Sequence, residues 1–176
     1  MDEKDNRIKN KSSLVSGFLA GLFSIAFFPE LFQALVAFVL NFEFSFKISV
    51  IFPQVTVSSF KPDDIFINTI VRLVPLIYLM LVCELGAFSL RFTLPGFYRY
   101  SLLMFILVNM GYMLFFLFLN AIVVILNLKL LTDWSSLLIL LNVDHLGSLI
   151  YLFPLIIIVA VYLNFITKRI LKYVNV

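Results

Sequence analysis

Four long apolar runs set what this chain can fold into. They lie at residues 14–40, 65–90, 100–126 and 148–166, and each is close to or above the roughly 20 residues that a helix needs to cross a bilayer. Hydrophobic residues make up 62% of the 176-residue chain and charged residues 13%, a balance that a soluble core of this size cannot bury. The sequence therefore predicts an all-α integral membrane protein, a four-transmembrane-helix bundle with one membrane domain over residues 1–176.

Lysine and arginine residues are distributed unevenly between the two sides of such a bundle. The residues before the first run, the connector 91–99 and the residues after the last run together hold nine, whereas the two longer connectors hold three. Cytoplasmic segments carry the excess of basic residues, so we expect both termini in the cytoplasm. Topology also explains the net charge of +3, and we expect no nucleic-acid partner.

Polar side chains inside the runs mark where to look for function, because ionisable and amide groups are costly at bilayer depth. They are Glu30, Arg72, Glu84, Asn109 and Asn120. Arg72 and Glu84 are separated by about 120° around a helix, so each needs a partner from elsewhere, water or, for Glu84, a proton. Asn109 and Asn120 share one helical face, which predicts a seam that faces protein and not lipid.

The connector 41–64 and the first run carry two further patterns. Apolar and polar residues alternate over 42–49, and a second β-like piece follows at 55–57, which predicts a short β-like outer loop, either paired as a ribbon or extended without pairing. In the first run, small residues recur at three- and four-residue spacing and favour the close approach of another helix. These are Ser16, Gly17, Ala20, Gly21 and Ser24.

Enzymatic motifs are absent from the sequence. It contains no HExxH, paired CxxC, GxSxG or phosphate loop, and one histidine with one cysteine cannot build a metal cluster. We therefore expect no enzyme and no catalytic, cofactor-binding or metal-binding residue. A pore would need a water-lined polar path, for which Arg72, Glu84 and Asn109 are thin candidates. The remaining class is a protein that binds another protein in the membrane, and a structural or assembly subunit of a larger complex belongs to it.

Short motifs in a fixed order resemble a known family. They read Pro53-Gln54-Val55-Thr56, Lys61-Pro62-Asp63-Asp64, Arg72-Leu73-Val74-Pro75 and Asn127-Leu128-Lys129-Leu130-Leu131-Thr132. With the four-span layout and the charged N-terminal tail, they are similar to the immunity proteins that protect bacteria against pore-forming colicins of the A/B type. The chain departs from that family where Lys129 replaces an acid, where an extra residue precedes Thr132, and where the Asp-Pro turn is reversed.

The resemblance implies a location, a partner and a set of binding residues. Such a protein spans the bacterial inner (cytoplasmic) membrane with both termini in the cytoplasm. Its partner is the pore-forming domain of a cognate colicin, whose membrane-inserting helices it binds so that the channel does not open. The implied partner-binding residues are Pro53, Thr56, Arg72, Pro75, Leu128, Leu130 and Thr132.

Overall fold

Four helices and two short strands make up the described part of the chain. The computed structural model describes residues 3–48, 53–57, 65–126, 128, 138 and 143–174. The elements are α1 (Glu3–Val39), β1 (Phe44–Ile48), β2 (Pro53–Val57), α2 (Ile65–Leu90), α3 (Phe97–Ile125) and α4 (His145–Val174). All four helices are long and apolar enough to cross a membrane. The chain is therefore a multi-pass membrane protein.

The helices extend past the predicted spans at their charged ends. α2 begins and ends at the predicted residues, whereas α1 begins at Glu3 and α4 continues to Val174. Hydropathy marks only the segment that favours lipid, whereas the backbone hydrogen bonds of a helix continue wherever the sequence tolerates a helix.

Contacts at the helix ends show that helices successive in the chain alternate in direction. The Ser13 hydroxyl of α1 donates to the Phe97 carbonyl at the start of α3, and the Arg99 guanidinium donates to the Tyr173 carbonyl near the end of α4. We call this side of the bundle the termini end. α1 and α3 run away from it, and α2 and α4 return to it.

The two strands form an antiparallel ribbon that packs against α1 at the opposite side, the ribbon end. Ser45 pairs with Thr56, and Ile48 pairs with Pro53. Pro53 is the first residue of β2, a position where the missing N–H of proline is tolerated in a sheet. The alternating sequence of the connector allows a paired ribbon or an extended segment without pairing, and the backbone adopts the paired ribbon.

α2 and α3 form the centre of the bundle and contact both other helices, with α1 and α4 packed onto them. The core contains fully or almost fully buried side chains from α2, α3 and α4. Among them are Leu79, Cys83, Ile106, Met113, Val159 and Ile166. Because the lipid-facing surface of a membrane bundle is itself apolar, the outward residues of these helices are as hydrophobic as the core.

α1 has a buried face of mostly small or polar residues and an outer face of phenylalanine and aliphatic residues. Its buried residues are Ser13, Gly17, Gly21, Ser24, Pro29, Gln33 and Ala37. A Cβ atom added at Gly17 would collide with the backbone of Ser101, and one at Gly21 would lie 2.8 Å from Val108. The predicted role in close helix approach is confirmed for Gly17 and Gly21, and the helix they admit is α3 of the same chain. Of the other three small residues, Ser24 is buried and bonds to Tyr78 of α2, whereas Ser16 and Ala20 are exposed.

Candidate partner-binding surface and intramembrane polar groups

Near the ribbon end, α1 satisfies a backbone group that α2 leaves open. Pro75 has no N–H, so the carbonyl four residues earlier, at Val71, lacks its helical donor. The Gln33 side-chain amide of α1 donates to that carbonyl at 3.1 Å, and Gln33 is buried. A hydrogen bond between helices therefore replaces one that proline removes within α2.

Arg72 and Glu30 are half-buried and belong to the same two helices. Arg72 follows Val71 directly and lies about 10 Å along α2 from its first residue, close enough for its long side chain to reach toward the ribbon end. Glu30 lies one turn before Gln33 on α1 and takes part in a polar interaction. The half of the bundle nearer the ribbon end thus contains two ionisable groups of opposite sign.

Hydroxyl and amide groups lie inside the bundle, from its middle toward the ribbon end. The hydroxyls of Ser24 and Tyr78 share a hydrogen bond of 2.9 Å between α1 and α2. The side-chain amides of Asn109 and Asn120 donate to carbonyls one turn earlier on α3, at 2.8 Å and 2.7 Å. Both asparagines are buried, as the seam predicts. The Asn109 side-chain oxygen is buried without a hydrogen-bond partner in the described structure.

Toward the termini end, an ion pair joins α2 to α4. The Arg169 guanidinium donates to the Glu84 carboxylate and lies 5.6 Å from the ring centroid of Phe165. The Tyr162 hydroxyl donates to the Met80 carbonyl at 2.9 Å, one turn before Glu84. The sequence left Glu84 with a partner from elsewhere, water or a proton, and the structure shows the first of these, a cation from another helix.

The ribbon end also collects the described residues of the family-like motifs. Pro53 and Thr56 lie in β2, Arg72 and Pro75 lie in the first turns of α2, and Leu128 follows the end of α3 with 45% of its surface exposed. These residues lie at the same end because α1 and α3 both end on that side and α2 begins on it, and the ribbon itself packs against α1. Leu130 and Thr132 lie outside the described residues.

Sequence reasoning missed Gln33, Tyr78, Tyr162 and the second role of Arg169. Gln33 is an amide inside an apolar run, the same signal that singled out the asparagines of α3, and a proline on a neighbouring helix could have suggested its partner. The two tyrosines carry no comparable signal, since tyrosine is common near membrane interfaces. Arg169 counts in the sequence only as one of the basic residues that set the orientation of the bundle, although the carboxylate of Glu84 in another span calls for a partner.

The arrangement offers binding surfaces but little reactive chemistry. The described residues contain no group of three His, Cys, Asp or Glu side chains placed to hold a metal ion. An open cavity of about 410 Å³ is lined by residues 92–98 of the α2–α3 connector, a stretch without a carboxylate, imidazole or thiol. Asn109 is completely buried, so within the described residues it does not join Arg72 and Glu84 along an open water path.

Comparison with known proteins gives no relative for this chain. No protein-family model, no curated protein and no solved structure matches it. A functional assignment therefore depends on the motifs and on the geometry of the bundle.

Proposed function

We propose that this chain is an immunity protein of the bacterial inner membrane. It binds the membrane-inserting, pore-forming domain of a cognate colicin and prevents the channel from opening. It acts by binding and not by catalysis, requires no cofactor, and keeps both termini in the cytoplasm, which places the ribbon end at the periplasmic surface where an inserting toxin arrives.

The observation that carries the proposal is the position of the motif residues. Pro53 and Thr56 in β2, Arg72 and Pro75 in α2, and Leu128 after α3 lie far apart in sequence but at one end of the bundle. The same motifs carry the family resemblance. In this proposal the partner binds at that end, where Arg72 is half-buried and Leu128 is exposed, while the buried Pro75 shapes α2 and does not itself contact the partner.

The energetics of the membrane suit this role. Lipid is as apolar as leucine, so a toxin helix gains affinity from close packing and from polar contacts that lipid cannot make. Arg72 supplies a cation and a fan of donors at the edge of the apolar region, and the outward faces of α1 supply aromatic packing surface, with Phe28 44% exposed and Phe38 69% exposed. Inhibition requires only that the closed or partly inserted toxin is bound more tightly than the open channel.

A protection assay tests the proposal. Sensitive cells that express the chain are challenged with a panel of A/B-type pore-forming colicins while potassium efflux is recorded. We expect protection against one or two toxins, with toxin reception and uptake unchanged. Arg72→Leu should abolish protection at equal membrane abundance. Arg91→Leu is the matched control, because Arg91 is an exposed arginine in the connector at the opposite end.

Other outcomes point to the alternatives. A chain that reaches the membrane in normal amount but protects against no colicin of the panel contradicts the proposal. Equal loss of protection from both arginine variants would contradict the assignment of the binding surface to the ribbon end. Stable co-purification with resident membrane subunits, together with no protection, would favour an assembly subunit. Depolarisation of cells by the chain alone would favour a pore.

A further inference from the structure

The last two turns of α4 carry several positive charges at the termini end. Lys168 and Lys172 are exposed and lie four residues apart, and the half-buried Arg169 lies between them in sequence. Like charges at such a spacing repel each other and cost helix stability. Among the described residues, neither lysine has a carboxylate or another polar group as a partner. We call these three residues the basic turn.

The fold brings a fourth cation to the basic turn. The Arg99 guanidinium, at the start of α3, donates to the carbonyl of Tyr173, the residue that follows Lys172. The side chain of Tyr173 in turn lies beside the Arg169 guanidinium. Cations from two helices therefore gather around the end of α4, and only the folded bundle places Arg99 among them.

The negative groups around the end of α4 do not balance these cations. Among the described side chains, Glu84 is the carboxylate that contacts them, and it pairs with Arg169. The carbonyl end of a helix supplies a partial charge of about −0.5, and the Tyr173 carbonyl already accepts a hydrogen bond from Arg99. Roughly two positive charges therefore remain to be met by an anion from outside the described chain.

The depth of the basic turn identifies the anion. The last apolar run ends at Ile166, so Lys168 and Lys172 lie about 3 Å and 9 Å beyond it along the helix axis. Headgroups occupy a layer of about 5–7 Å on each side of the hydrocarbon core, and both lysine stems reach that layer. Phe165, one turn before Arg169 and 56% exposed, lies on the acyl-chain side. The anion present at this depth is the phosphate of a lipid.

We propose that the basic turn, with Arg99 beside it, binds the headgroup of an anionic phospholipid. The flexible stems of Lys168 and Lys172 let their ammonium groups converge on one phosphate. The ion pair with Glu84 uses one nitrogen of the Arg169 guanidinium, which leaves other donors of its five for a phosphate oxygen. A zwitterionic headgroup carries its own cation and is repelled by these groups, so the site prefers a lipid whose only charge is negative. The partner is a lipid and not a toxin, so this inference is independent of the proposed function.

A bound headgroup differs from the general preference of basic residues for one side of a membrane. That preference depends on the summed charge of the segments, so every lysine at the termini end serves it equally. A site depends instead on which lysines lie together. Lys11 provides the matched comparison, because it is exposed at the same end but belongs to α1, which packs against α2, α3 and the ribbon.

Native mass spectrometry of the purified full chain tests the site. The chain in detergent is titrated with phosphatidylglycerol or with phosphatidylcholine of identical acyl chains, and the fraction that retains one lipid gives each dissociation constant. We expect phosphatidylglycerol to bind at least about fivefold more tightly, the effect of one basic residue at an anionic membrane surface.

Three lysine variants then locate the binding. Lys168→Gln and Lys172→Gln should each raise the dissociation constant of phosphatidylglycerol by about fivefold, whereas Lys11→Gln, which removes the same charge at the same end, should leave it unchanged. All three lysines are exposed, so the substitutions leave the fold of the bundle intact. Inorganic phosphate, added as a competitor, should not displace the lipid.

The outcomes separate a lipid site from its alternatives. Equal affinity for the two lipids overturns the proposal, and so does an equal effect of Lys11→Gln and Lys168→Gln, which would assign the attraction to the overall charge of the termini end. Displacement of phosphatidylglycerol by inorganic phosphate would make the ligand a free anion, and the assignment to a lipid would be wrong. Selective lipid binding in a chain that protects against no colicin would support this inference and count against the proposed function alone.

Discussion

The hydrogen bond between α1 and α2 near the ribbon end gives the sharpest test of the fold. Gln33 donates to the Val71 carbonyl at 3.1 Å, and that carbonyl is open because Pro75 cannot donate to it. Gln33→Leu keeps the volume of the side chain and removes the donor. The carbonyl is then left without a partner in a region where Gln33 is only 2% exposed.

The size of the effect follows from what the carbonyl loses. An unsatisfied buried acceptor costs about 1–3 kcal/mol, and measured hydrogen bonds between membrane helices average about 0.6 kcal/mol with a maximum near 1.7. We therefore expect Gln33→Leu to lower the free energy of unfolding by about 1 kcal/mol. In a Pro75→Ala background the restored N–H bonds to Val71 within α2, so the same substitution should then cost close to zero.

Reversible unfolding in mixed micelles, or steric trapping in bilayers, gives the free energy of unfolding of the parent and the three variants of this double-mutant cycle. The coupling free energy between Gln33 and Pro75 should be about 1 kcal/mol. Pro154→Ala is the matched control, because Pro154 lies inside the more distant α4 and its effect should add to that of Gln33→Leu without coupling. An equal cost of Gln33→Leu in the parent and Pro75→Ala backgrounds would refute the reasoning.

Three further predictions follow from the helix contacts. Gly17→Leu should lower the free energy of unfolding by about 1–3 kcal/mol, the usual cost of overpacking, because the new side chain meets the backbone of Ser101. Gly111→Leu enters open space and should be nearly neutral. Unfolding measurements compare the two variants, and equal costs would contradict the close approach of α1 and α3. Arg169→Leu should reduce stability more than Glu84→Leu, because the arginine left alone by Glu84→Leu reaches the interface along its stem while the carboxylate left alone by Arg169→Leu cannot. The double substitution should recover part of the loss. The reverse order of the two single variants would argue against the ion pair. Reporter fusions at either chain end should be active on the same, cytoplasmic side of the membrane, and reporters on opposite sides would contradict an even number of crossings.

The helices could be predicted from the sequence more fully than the contacts between them. The bounds of α2 agree with the apolar run, and the small residues of α1 correctly indicated a close helix contact. The charged extensions of α1 and α4 were not expected, because hydropathy is blind to helix that lies outside lipid. The connector alternation predicted β-like backbone but left pairing open, since pairing depends on a second segment meeting the first in register.

In the candidate site, too, the sequence showed which groups need a partner but not which residues supply it. Glu84 was correctly judged to need a partner from outside α2, yet its partner, Arg169, lies on a helix that is adjacent only in the folded bundle. Gln33 was overlooked because its role depends on a proline in another helix. Which stripe of α4 faces outward could not be predicted at all, because no local pattern tells which face of an apolar helix packs against its own bundle.

The sequence by itself determined that this chain enters a membrane, how many times it crosses, and which segments cross. Each of those properties depends on the free energy of moving one segment into lipid, a sum over the residues of that segment alone. The tertiary structure decided which helices touch and which polar groups pair. In lipid, apolar side chains are equally at home on either face of a helix, so only packing and the few hydrogen bonds between helices distinguish the inside of the bundle from the outside.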